Sequence, residues 1–275
     1  MEAEKSNSQT PGRSLPWILL VTFVIVTVVN FGARWFPGGA DQFRTMRSTR
    51  IDAAAYAFPV IWSLIFFGMV GFAIDLIRHP RESTGSLNSA IKWLLLAGAT
   101  SIAYVPIRLY ASSTAAWLDI LVHLIALIGA QVCLRRHIRA IETETRRPRW
   151  WYLPPSLYLG WISAALTISS ALALRENHIT VNAEVAEIVT LMAIGCLTIV
   201  GALMVERRDC PFSLTLAWAF IAIGVQQSAF PLVRNATWGA AAIMIVMSAT
   251  AFYLRRFFYA DTRNPSPVQS NASPE

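Results

Sequence analysis

Charge is what this chain has least of. Only 14% of its 275 residues are Asp, Glu, Lys or Arg, against about a quarter in soluble domains. Cysteine is nearly as sparse: Cys133 and Cys196 sit in apolar runs and Cys210 in a short basic loop. An odd count without CxxC spacing argues against a disulfide framework and a metal site, so the three read as small buried hydrophobes. There is no GxSxG, HExxH, P-loop or GxGxxG sequence, and so no reason to name a reaction. The formal charge of +7 is spread between apolar runs, as in "RRHIRAIETETRRPRW". It forms no continuous patch, which argues against a nucleic-acid partner.

What is abundant is apolar sequence. Hydrophobic residues make up 55% of the chain, gathered in runs of about 20, the length that crosses a bilayer as a helix. The expected fold is all-α, a polytopic membrane bundle of about eight helices, over roughly 15–33, 53–76, 91–110, 114–134, 155–174, 183–204, 212–232 and 238–257. The first run is longer than a signal-peptide core and lacks an A-x-A site, so it reads as a retained span. Pro155 and Pro211 stand where helices begin, and Pro231 falls near the end of the seventh span. Pro106 lies inside the third, where a kink is expected. Residues 1–14 and the tail 259–275 read as disordered ends.

Lys and Arg divide unevenly between the two sides of this arrangement, sixteen on one and seven on the other. The positive-inside rule then puts both termini in the cytoplasm of a cell whose inner (plasma) membrane holds the protein. The expected partners are the lipid bilayer and a hydrophobic small molecule, with a homodimer as a candidate assembly.

The stretch "YLGWISAALTISSALALRENHI" shows how a span here differs from plain hydrocarbon filler. Gly160, Ser163, Thr167 and Ser170 share one side of a helix, and Tyr158, Trp161, Ala165 and Ile168 another. Small, weakly polar faces are where membrane helices approach each other. Gln226 and Gln227, near the outer end of span seven, read as bonding neighbouring backbone, and Glu184 and Glu187 as suiting the start of span six.

Asp119 and His123 are the unusual residues. Four apart on one helical face, they lie roughly 7 and 13 Å into the fourth span. An ionisable group at that depth costs about 2.5–3.5 kcal/mol on insertion scales, which makes the pair a functional candidate. Three readings stay open: an Arg108–Asp119 clamp with neutral His123, an anchor for the polar end of an amphipathic ligand, and a proton relay in a proton-coupled transporter. A haem-ligating His123 lacks a second ligand in view. Tyr56, Phe58, Trp62, Phe66, Tyr104, Tyr158 and Trp161, on the second, third and fifth spans, can wall a flat apolar site. The candidate ligand-binding residues are thus Tyr56, Trp62, Phe66, Tyr104, Arg108, Asp119, His123, Tyr158 and Trp161.

The run "FPVIWSLIFFGMVG" (58–71) resembles the W-x-x-L-Y-x-x-M-G run of the TspO/MBR family, the tryptophan-rich sensory proteins related to the mitochondrial translocator protein. Trp62 and Met69 match, and Phe66 stands where that family favours Tyr. "AWLDILVHLI" (116–125) is similar to its A-x-x-D-L-L fourth span, with Asp119 matching; "LPPSLYLGWISAALTISSALALRENH" resembles its fifth, through Pro155, Tyr158 and Trp161. The family's P-x-W-x-P-P segment before the second span is replaced by "RSTRIDAAAYAFP", and its L-N-x-x-W by "SIAYVP". The resemblance implies a five-helix core over 15–180, three additional spans over 181–258 as in a longer bacterial branch, and a hydrophobic ligand, tetrapyrrole-like or sterol-like, with a sensory or transport role; the alternatives are a proton-coupled transporter and a non-catalytic structural or partner-binding membrane protein. No cofactor is expected; a tetrapyrrole would be the ligand.

Overall fold

A computed structural model describes residues 14–33, 49–79, 85–141, 149–179 and 181–261. They form eight α-helices: α1 (Leu15–Gly32), α2 (Ala57–Arg78), α3 (Gly85–Tyr110), α4 (Ser113–Ile141), α5 (Leu153–Glu176), α6 (Ala183–Glu206), α7 (Cys210–Gln226) and α8 (Pro231–Asp261). A single 3-10 turn, Arg149–Tyr152, leads into α5, and no strand occurs among the described residues. Seven of the helices are long and apolar enough to cross a membrane; α7, at 17 residues, is shorter. The all-α polytopic bundle expected from the sequence is therefore what the chain forms. The two expected disordered ends, 1–14 and 259–275, fall almost wholly outside the described residues, which include only Ser14 and 259–261 of them.

Local chemistry sets several of the ends. Pro154 and Pro155 open α5, where a missing N–H costs no helical bond. Asn182 caps α6 by accepting from Val185 N at 2.8 Å. Asp209 caps α7, accepting from Phe212 N at 3.3 Å. Pro231, expected inside the seventh span, instead starts α8. The chain leaves the helix after Gln226 and turns, with Phe230 N donating to Gln227 O.

The second helix also differs from expectation. The apolar run from Ala53 does not begin as helix: residues 51–56 are turn and irregular chain, and α2 starts at Ala57. Ile51, Asp52, Ala53 and Ala54 are nevertheless buried. Hydropathy counts these residues as span, but their conformation is decided by what packs on them.

The packing order places the site. α3 packs on α1 and α4, α5 on α4, α2 and α7, and α8 on α6 and α7. Side chains such as Val21, Val28, Leu118, Val122, Ile125 and Val132 stay exposed in rows on α1 and α4, as suits surfaces that meet acyl chains. Glycines allow two close contacts. A Cβ on Gly160 would lie 2.7 Å from Phe212 O, so α5 and α7 meet backbone to backbone there. A Cβ on Gly129 would lie 2.7 Å from the Trp93 indole, which α4 accepts from α3.

Candidate functional site

The aromatic residues of α2 and α5 turn inward and meet. Trp62 stacks on Phe66 with centroids 4.8 Å apart. Tyr158 stands edge-on to Trp62 at 5.7 Å and to Phe66 at 6.1 Å. Trp161 is edge-on to Trp62 at 6.1 Å and to Phe58 at 5.3 Å, and Phe23 of α1 closes on Tyr158 at 6.4 Å. Phe66, Tyr158 and Trp161 are almost wholly buried, whereas Phe58 keeps 38% of its surface and Trp62 is half-buried. The cluster thus has an inner, closed side and an edge open at the surface of the bundle. Each such ring pair contributes about 0.5–1.5 kcal/mol beyond area burial.

Against this apolar wall lies a polar seam between α3, α4 and α5. His123, 2% exposed, sets its ring edge-on to Tyr158 at 4.8 Å. Asp119, one turn away on α4, acts electrostatically on both Tyr104 and Tyr158, and Tyr104 also neighbours Ser169 of α5. Asn30 of α1 donates to Ser101 Oγ of α3 at 3.3 Å. The decisive feature is what these groups lack: Asp119 Oδ2 and His123 Nε2 are buried without a hydrogen-bond partner, and the Tyr158 hydroxyl, although it neighbours Ser101, makes no well-formed hydrogen bond either. In an apolar interior such a group costs several kcal/mol, so three side by side are costly unless something else occupies them.

Arg108 and Tyr56 stand apart from this cluster. Arg108 is buried, but its Nη2 donates to Glu176 Oε1 at 3.0 Å and its Nη1 to Ser113 Oγ at 3.1 Å. That pairing corrects the Arg108–Asp119 clamp; the end of α5 supplies the counter-charge, leaving the Asp119 carboxylate available. Tyr56 is half exposed and stands edge-on to Trp218 of α7 at 6.0 Å. The small face of α5 is likewise divided among neighbours: Gly160 meets α7, while Ser170 accepts from Trp117 Nε1 of α4 at 2.8 Å.

A second polar cluster, which the sequence did not reveal, ties α4, α5 and α7 together toward their other ends. Asp209 is fully buried and pairs with Arg135. Its Oδ2 also accepts from Gln131 Nε2 and from Ser156 Oγ, both at 3.0 Å. The one sequence signal was an Asp placed just before Cys-Pro, where a helix cap belongs. Among the described residues no group of three or more His, Cys, Asp or Glu is placed to hold a metal ion.

Seven membrane-length helices define a multi-pass membrane protein, in which aromatic rings and unpaired polar groups meet among the first five helices. The family pattern described as "TSPO-like protein" matches residues 16–250, and the chain belongs to that family. The match runs through all eight helices. Neither a curated protein nor a solved structure matches the chain.

Proposed function

We propose that the protein binds a hydrophobic or amphipathic small molecule, tetrapyrrole-like or sterol-like, and that binding serves sensing or transport across the plasma membrane. The observation that carries this reading is the set of unpartnered buried atoms, Asp119 Oδ2, His123 Nε2 and Tyr158 Oη, beside the rings of Trp62, Phe66 and Trp161. A flat apolar body suits the rings, and a polar edge of the same molecule supplies the missing hydrogen bonds. Entry is from the bilayer, past Phe58 and the partly exposed Trp62. The ligand-binding set is Trp62, Phe66, Tyr104, Asp119, His123, Tyr158 and Trp161, with Arg108 and Tyr56 shaping its outer border. Membership of the TSPO-like family supports the class of activity, and the uneven Lys and Arg distribution supports cytoplasmic termini.

Titration of the purified protein with protoporphyrin IX, read by quenching of tryptophan fluorescence, tests this. A saturable quench, weakened about tenfold or more by Trp62→Ala, is expected. Unsaturable quenching by both protoporphyrin IX and a fluorescent sterol would discard the reading.

A second reading, proton-coupled transport, is favoured by one observation: Asp119 is not neutralised by Arg108. It requires that uptake into proteoliposomes collapse on Asp119→Asn, while ligand affinity in detergent survives.

A further inference from the structure

The chain before α2 crosses the outer part of the bundle without being helical, and α7 receives it. Gln227, 4% exposed, donates from its Nε2 to both Thr49 O and Asp52 O, each at 3.1 Å. Ala54 N donates to Ala222 O at 2.9 Å, and Trp218 Nε1 to Ala57 O at 3.3 Å. Inside the strap, the Asp52 carboxylate accepts from Thr49 N at 2.8 Å and Thr49 Oγ1 at 2.6 Å. From the far side Arg50 pairs with Glu187 of α6 at 3.4 Å and lies 4.6 Å over the Phe230 ring.

Irregular backbone level with the last turns of a spanning helix is stable only where protein covers it and pairs its polar groups. Here the partners of four main-chain groups, Thr49 O, Asp52 O, Ala54 N and Ala57 O, all come from α7 or the residue just after it. The strap delivers the chain to Phe58 and Trp62, the two rings at the open edge of the cluster. Its position therefore sets where α2 begins and how those rings meet Trp161.

We propose that Gln227 is a positioning residue for the aromatic site, and that α7, with α6 behind it, serves to hold residues 49–57 so that Phe58 and Trp62 face Trp161. The ligand-affinity part of this rests on the binding reading above; the positioning part does not. One amide bridges two carbonyls of the strap, Thr49 O and Asp52 O, which no apolar side chain of the same volume replaces. The neighbouring Gln226 is exposed, so it makes a matched control.

The experiment uses the full-length protein in nanodiscs, with Cys133, Cys196 and Cys210 replaced by serine. Spin labels on Val60→Cys, in the first turn of α2, and Val225→Cys, near the end of α7, report their separation; both sites are exposed. One narrow distance distribution is expected for the parent, broadened by Gln227→Met and left narrow by Gln226→Met. Asp52→Asn, which weakens the strap from within, gives the same broadening should Gln227→Met fail to fold. Affinity for protoporphyrin IX falls about tenfold in the variants that broaden. An unchanged distribution in both Gln227→Met and Asp52→Asn overturns the proposal, as does broadening with unchanged porphyrin affinity. If the parent itself binds no porphyrin, the ligand reading fails and the distance distributions alone decide whether Gln227 positions α2.

Discussion

Arg108 finds its counter-ion in Glu176, with Nη2 and Oε1 3.0 Å apart, although Asp119 lies far closer in sequence. The guanidinium belongs to the last turns of α3 and the carboxylate to the last turn of α5, so this pair fastens two helix ends at one face of the bundle. Ser113, at the start of α4, bonds to both partners and brings a third end into the junction.

Breaking that junction from one side should be worse than removing it whole. Glu176→Ala leaves a buried guanidinium with Ser113 as its remaining partner. Because the Glu176 side chain is 42% exposed, solvent screens part of the loss, and a cost of about 1–2 kcal/mol is expected. The Arg108→Met, Glu176→Ala double variant should recover part of the lost thermal midpoint in detergent. Equal midpoints for the single and double variants would count against an ion pair of any consequence.

Asp209 should be the least replaceable acidic residue in the described chain. It is fully buried, holds Arg135, Gln131 and Ser156, and caps α7. Asp209→Ala strands the Arg135 charge and should cost about 3–5 kcal/mol. Asp209→Asn keeps an acceptor for the cap and should cost less. Unfolding monitored by thiol accessibility at Cys210 would rank the two.

Asp119 should behave in the opposite way. Its Oδ2 has no partner, so Asp119→Leu removes an unpaired polar group and should raise the thermal midpoint of the ligand-free protein, by roughly 1–3 kcal/mol of stability. The same substitution should weaken protoporphyrin IX binding. A loss of stability together with unchanged binding would mean that Asp119 is an ordinary structural residue.

Two glycines separate close packing from incidental placement. Gly160→Ala drives a Cβ into Phe212 O and should destabilise the α5–α7 contact by about 1–3 kcal/mol. A Cβ on Gly195, in α6, meets nothing within 4 Å, and Gly195→Ala should be neutral or stabilise by about 0.5–1 kcal/mol. Parallel melts of the two variants check the contrast directly.

A chain ending at residue 180 should fail to give a stable core. It lacks Gln227, Ala222 and Trp218, which satisfy main-chain groups of residues 49–57, and it lacks Asp209, the partner of Arg135. Loss of the fragment from membranes, with recovery when residues 181–275 are co-expressed as a second piece, is the expected outcome.

Much of this architecture was legible in the sequence because bilayer thickness is a strict ruler. The run at 15–33 became Leu15–Gly32, and the number of helices followed from hydropathy and the breakers between runs. Helical spacing and a motif resemblance named Trp62, Phe66, Tyr158 and Trp161 as candidates, and the fold brings their rings together. What stayed hidden depends on tertiary partners. Ala53 and Ala54 are as apolar as any helical pair, so nothing in composition says that they will be irregular chain packed on α7. An Arg108–Asp119 clamp was one open reading because the two are near in sequence, whereas the fold brings Glu176 alongside Arg108 instead. Gln227 looked like a residue bonded to its own turn, yet its partners lie on the far side of the first half of the chain.

The bond from Gln227 to Asp52 joins residues 175 positions apart, and that separation has a consequence for biosynthesis. At about 5–20 residues per second, roughly 10–35 s pass between synthesis of the early segment and arrival of its acceptor helix. Throughout that interval the nascent hairpin of α1 and α2 carries main-chain donors and acceptors that lipid cannot satisfy. Release from the translocon one helix at a time would strand them wherever water does not reach, which favours holding the first half beside the insertion machinery until the seventh helix emerges.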